Sequence, residues 1–119
     1  MRSRSHRRDR GSATVLAVGV VAVLLMLTAS GLLLLSAVVA SHRARAAADL
    51  AALAGAAALV RGPPGTTACG SAGQVARANG GHLAQCRVLG EALEVTVEVT
   101  PWPDRLGRAT AVARAGPPS

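Results

Sequence analysis

No charged side chain occurs in the 28 positions from Ala13 to Ala40, and that run constrains the chain more than any other feature. About 20 apolar residues in a helix cross a hydrocarbon core of roughly 30 Å. The run is therefore long enough to span a bilayer once. Before it lie Arg2, Arg4, Arg7, Arg8 and Arg10, opposed only by Asp9; after it come Arg43 and Arg45. Five arginines against two predict a cytoplasmic N-terminus and an extracytoplasmic C-terminal part. The lipid bilayer is the first expected partner. The competing reading is a secretory signal with a small-residue cleavage site at Val38-Val39-Ala40, which would release a small binding module. Against it, the run exceeds the usual 7–15 residues of a signal core.

The segment after the run, Ser41 to Ser119, allows one small domain with little core. The chain has no Phe and no Tyr, and Trp102 is its one aromatic residue. A core must then be built from Leu, Val and Ala, through close backbone approach rather than bulky anchors. The net charge of +7 invites a nucleic-acid reading, but its distribution excludes one. Most of the excess sits in the first ten residues, where topology accounts for it. From Arg61 onward six arginines face Glu91, Glu94, Glu98 and Asp104, and no aromatic platform or reader motif accompanies them.

The apolar run does not stop at a helix breaker. It passes into Ser41 to Val60, an Ala-rich stretch that nothing interrupts before Gly62-Pro63-Pro64. The expectation is one helix over residues 12–60, with Ser12 as its N-cap and residues 1–11 as a disordered basic tail. Such a helix would measure on the order of 70 Å, with the membrane taking about residues 13–40 and an extracytoplasmic stalk the rest. Leu50, Leu53, Ala57 and Val60 share a stripe on it, and Arg45 and Asp49 are spaced as an i,i+4 pair. Small residues in the membrane part, such as Ala13, Ala17, Gly19 and Gly31, offer a face for close helix packing.

Residues 61–119 read as a separate extracytoplasmic domain. After a Gly/Pro/Thr loop, Ser71 and Gln74 form a capping box for a short helix. Ala72, Val75 and Ala76 give it an apolar face, and Asn79-Gly80-Gly81 ends it. Three antiparallel strands follow. His82 to Val88 is the first, and Gly90 turns it. In the second, Leu93, Val95, Val97 and Val99 alternate with Glu94, Thr96, Glu98 and Thr100. The third, Arg108 to Ala115, carries alanines on one face, while Arg108 and Arg114 can sit across from Glu94 and Glu98. The predicted class is α+β: a single-pass membrane protein with a long N-terminal helix and a small C-terminal domain.

Little here suggests catalysis. No nucleophile elbow or comparable motif occurs, so neither enzymatic activity nor a cofactor is expected. Cys69, His82 and Cys86 have metal-ligand character, but a fourth ligand is missing. On the extracytoplasmic side a Cys69–Cys86 disulfide is the better reading, and closing a loop of that size contributes about 3 kcal/mol. Asp49, the lone acid between Asp9 and Glu91, reads as a solvated position or a partner contact. Trp102, between two prolines, reads as a cap on the small core or as an exposed anchor for a partner or a lipid headgroup.

One resemblance rests on Arg10-Gly11-Ser12-Ala13 leading into the apolar run, and on Ala47-Ala48-Asp49-Leu50-Ala51-Ala52-Leu53-Ala54-Gly55-Ala56 following it. The arrangement resembles the TadE/TadG-like proteins of Flp (tight-adherence) pilus assembly, and looks most like the short actinobacterial TadE-like members. The motif positions are Gly11, Ser12, Ala47, Ala48, Asp49, Ala51, Ala52 and Leu53. The resemblance implies a non-enzymatic, pseudopilin-like or accessory component of a pilus or related secretion system. Its implied partners are other Tad/Flp or secretion membrane proteins, or a second copy, met through the small-residue helix face. A type IV prepilin site has Glu five positions after its Gly, and here that position is Leu16. The implied protein is thus an intact membrane anchor rather than a processed pilin.

Overall fold

A computed structural model describes residues 3–62 and 66–118. Helix α1 spans Ser3–Arg61 and α2 spans Thr66–Ala78; strands β1 (His82–Leu89), β2 (Ala92–Val99) and β3 (Ala109–Ala115) follow, with a 3-10 turn at Asp104–Leu106. The α+β class expected from the sequence is the one observed. The chain divides into two units, Met1–Leu35 and Ser36–Ser119.

The first unit is helical. Its Thr14, Thr28 and Ser30 hydroxyls donate to the carbonyls of Arg10, Leu24 and Met26, each four residues back. This satisfies the polar groups within the helix itself, as an apolar solvent requires. The helix starts earlier than expected. Residues 3–10 are helical rather than a disordered tail, and Ser12 lies inside the helix rather than at its N-cap. Arginine is a good helix former, and a single Gly11 costs only about 1 kcal/mol against Ala.

In the second unit the sheet has the order β1-β2-β3, antiparallel throughout. β2 is central, and its alternation is realised as read: Leu93, Val95, Val97 and Val99 are buried. Ala111 and Ala113 of β3 join them, as do Ala68, Ala72 and Ala76 of α2. On the outer face Glu94 pairs with Arg114 in register, and Arg108 reaches Glu98 at 3.1 Å. With Arg108 exposed and Glu98 half-buried, that surface ion pair is worth about 1 kcal/mol or less.

Two connections set the register. Leu89 pairs with Ala92, leaving Gly90-Glu91 as a two-residue turn. Gly90 has φ 65°, the positive value a tight hairpin needs at its first central position. Helix α2 ends as expected at Asn79-Gly80-Gly81. Gly81 N–H donates to Ala76 O at 2.8 Å and Gly80 N–H to Arg77 O at 3.1 Å, with Gly80 at φ 77°. That pair of bonds is a Schellman cap.

The start of α2 is a second correction. It begins at Thr66, so Ser71 stands within the helix and caps nothing. Buried Ala68 stands one turn before buried Ala72 and Ala76, and this extra packed alanine carries α2 upstream of what Ser71 suggested. The Pro63-Pro64 stop falls outside the described residues.

The core's most telling feature is the face of α1 it uses. Ala40, Ala44, Ala47, Ala48, Ala51 and Ala52 are all buried. The Leu50, Leu53, Ala57 and Val60 stripe faces outward instead, with Leu53 60% and Val60 85% exposed. An alanine face lets two backbones approach where leucines would hold them apart. Gly55 shows how close: a Cβ there would lie 2.0 Å from Leu93 Cδ2 and 3.1 Å from the Ala68 carbonyl oxygen.

Candidate functional site

Helix α1 offers two exposed surfaces. In the first unit no residue from Asp9 to Leu35 is covered by the rest of the chain. Among the described residues this is the one helix long and apolar enough to cross a membrane, and none of its most apolar stretch is buried. A core helix of a soluble domain would be covered, so length, composition and exposure together fit a bilayer span. Gly11, Gly19 and Gly31 have open space where a side chain would stand. At Gly19 this leaves a shallow apolar notch walled by Leu16, Val20, Val23 and Leu24. Of the arginines read as the topology signal, Arg10 is exposed. Arg4, Arg7 and Arg8 stand on α1. Arg2 lies outside the described residues.

In the second unit the A-A-D-L-A-A-L-A segment splits cleanly by face. Ala47, Ala48, Ala51 and Ala52 are buried under the sheet, while Asp49, Leu50 and Leu53 point outward. The expected Arg45–Asp49 ion pair is not formed; among the described residues the ion pair is Arg108–Glu98. Both side chains are exposed, and in water such a pair returns too little to fix two mobile side chains. Asp49 therefore stands free on the same side as Leu50 and Leu53. Beside Leu53, an apolar groove runs between α1 and the end of the sheet, lined by Leu59, Val60, Gly90 and Ala115.

Cys69 of α2 and Cys86 of β1 form a disulfide, with Cα atoms 5.9 Å apart. A bulge makes that geometry available. Leu83 faces Val97, but Gln85 faces Thr96 and Cys86 faces Val95, so Ala84 is an extra residue in β1. It places both Leu83 and Cys86 on the inner side, although they are three apart. With both sulfurs bonded, Cys69 and Cys86 are unavailable as metal ligands, and His82 is exposed. His42 is exposed as well. Among the described residues, no three His, Cys, Asp or Glu side chains gather where a metal would sit.

Trp102 does not cap the core. It is 86% exposed, on a loop whose neighbour Pro101 is buried. The Ser36 hydroxyl of α1 donates to the Trp102 carbonyl oxygen, a contact invisible to sequence reasoning.

Residues 11–58 match the family model of TadE/G-like Flp pilus-assembly proteins. The match covers less than half of the chain, but it coincides with both surfaces of α1: the uncovered apolar stretch and the alanine face with its outward Asp49 and Leu53. The arrangement is a long apolar helix, similar over residues 11–58 to that family and long enough to cross a membrane, carrying a small α+β domain. No curated protein and no solved structure matches the chain.

Proposed function

We propose that this chain is a non-enzymatic, single-pass component of Flp pilus assembly or a related secretion system. Its role is pseudopilin-like or accessory, of the kind filled by the short actinobacterial TadE-like proteins. The observation that carries the reading is the coincidence of the family match with an uncovered apolar helix. The N-terminus is cytoplasmic and residues 61–119 are extracytoplasmic, an orientation supported by five arginines before the run against two after it. The disulfide supports the same side, since such bonds persist where thiols are not kept reduced.

Partners are other membrane proteins of the assembly, or a second copy, packed against α1. Inside the bilayer the Gly19 notch admits a neighbouring helix closely. Outside it, Asp49, Leu50 and Leu53 offer an apolar stripe with one charge; the alanine face is already taken by the chain's own sheet.

Membrane fractionation with protease protection tests the assignment. The chain should resist carbonate extraction, carry an intact N-terminus by mass spectrometry, and lose its C-terminal domain to protease added to spheroplasts. A soluble chain beginning after Ala40 would overturn the anchor in favour of a released binding module. A C-terminal domain protected from external protease would overturn the orientation.

A further inference from the structure

The uncharged run contains four hydroxyl side chains: Thr14, Thr28, Ser30 and Ser36. The first three bond back to their own helix. Ser36 does not; its hydroxyl donates across to the Trp102 carbonyl, 66 residues on. The loop carrying the chain's one aromatic side chain is thereby tied to α1 inside the run that spans the bilayer.

Two considerations place that tie at the extracytoplasmic end of the span, the first taking the hydrocarbon core to begin at Ala13. Counted from Ala13, 20 residues of hydrocarbon core end near Leu32, and Ser36 lies four residues, about 6 Å, beyond. The headgroup zone is about 5–7 Å deep on each side. From the other direction, Ala40 is only 3% exposed because the domain covers it, so lipid cannot surround the helix there. Ser36, half-buried, falls between these bounds. The loop suits that level. Trp102 is 86% and Leu106 42% exposed, and Arg105 between them is exposed too. An indole pairs an apolar body with one N–H donor, the combination enriched where acyl chains meet headgroups. Arg105 is balanced by its exposed neighbour Asp104, so the loop's apolar side chains rather than net charge carry the attraction.

We infer that the 101–107 loop is an interfacial anchor: Trp102 and Leu106 insert at the headgroup–acyl boundary of the membrane α1 spans, seating the domain on its extracytoplasmic leaflet. The inference rests on the membrane-spanning reading above. Because Trp102 is the only tryptophan, its fluorescence reports this position alone. The full chain would be reconstituted in phosphatidylcholine/phosphatidylglycerol vesicles containing lipids brominated either near the headgroup or near the acyl terminus. Flotation, which does not depend on Trp102, reports whether α1 has inserted. The expected result is flotation, a blue-shifted emission, weak acrylamide quenching, and quenching about twofold stronger from the shallow bromines than from the deep ones. A chain that floats while Trp102 is quenched by acrylamide and not by bromines overturns the anchor and leaves the span standing. Protection from both quenchers would mean a protein contact, such as a second copy, and also overturns it. Failure to float overturns the anchor and the span together.

Discussion

Gly55 and Gly19 look alike in the sequence, each a glycine in an Ala- and Leu-rich helix, yet they answer to different neighbours. At Gly55 an added Cβ meets Leu93 Cδ2 at 2.0 Å and a backbone carbonyl at 3.1 Å. Leu93 is fully buried, so its methyl has little room to retreat. Overpacking of this kind costs about 1–3 kcal/mol, against about 1 kcal/mol gained in helix propensity. Gly55→Ala should therefore lower the stability of the full chain in detergent by up to roughly 2 kcal/mol, read from its melting curve. Gly19→Ala meets nothing within 4 Å and should leave that melt unchanged or slightly raised. If the Gly19 notch receives a partner helix, the same substitution weakens assembly, so piliation or co-purification would fall with no loss of stability. Which glycine was structural could not be read from the chain, because the atoms that crowd Gly55 come from β2 and α2. Ser36 was hidden for a related reason: three other hydroxyls in the run bond back along the helix, and sequence alone gives no ground for excepting one.

Among the elements, β2 was the most legible, since strict alternation over Leu93 to Thr100 has one structural meaning when one face is buried. The continuous helix was equally readable from the absence of breakers. The buried face of that helix was not. The Leu50, Leu53, Ala57 and Val60 stripe and the alanines between them both run along it, and the distance between packed backbones decided for alanine. Strand β1 was misleading in a different way. Its bulge carries no glycine or proline to announce it, and simple alternation would have left Leu83 outside the face that Cys86 shares. The register makes a sharp prediction about this strand. Deleting Ala84 removes the extra residue and keeps Leu83 opposite Val97 and Cys86 opposite Val95, so the disulfide should still form. Deleting Arg87, between the bulge and the hairpin turn, puts Cys86 opposite Glu94 and turns its side chain to the outer face. Thiol alkylation under denaturing conditions distinguishes them: no free thiol in the first variant, two in the second.

At the scale of the whole molecule, small size and membrane topology act on the same bond. The second unit's core is alanine and valine with a single fully buried leucine, so little apolar area offsets chain entropy. A disulfide closing a 17-residue separation adds about 3 kcal/mol, a large part of what such a domain has. Reduction, or Cys69→Ser with Cys86→Ser, should lower the domain's stability by about that amount in a denaturant melt of the full chain. On the topology proposed above, the bond in turn depends on which side of the membrane the domain reaches, a choice that the arginines before Ala13 would bias. Replacing Arg4, Arg7 and Arg8 by Gln leaves two arginines before the run and two shortly after it, which removes the bias. The expected outcome is a mixed population. One fraction would be cut by protease added to spheroplasts, and the other would be protected. The protected fraction should also carry Cys69 and Cys86 as free thiols, because the cytoplasm keeps them reduced, and its domain should be the less stable of the two. Protease and thiol readouts must then divide the population in the same proportion. Uniform outward orientation after the triple substitution would show that the arginines do not set topology, and protected chains with an intact disulfide would break the link between side and bond.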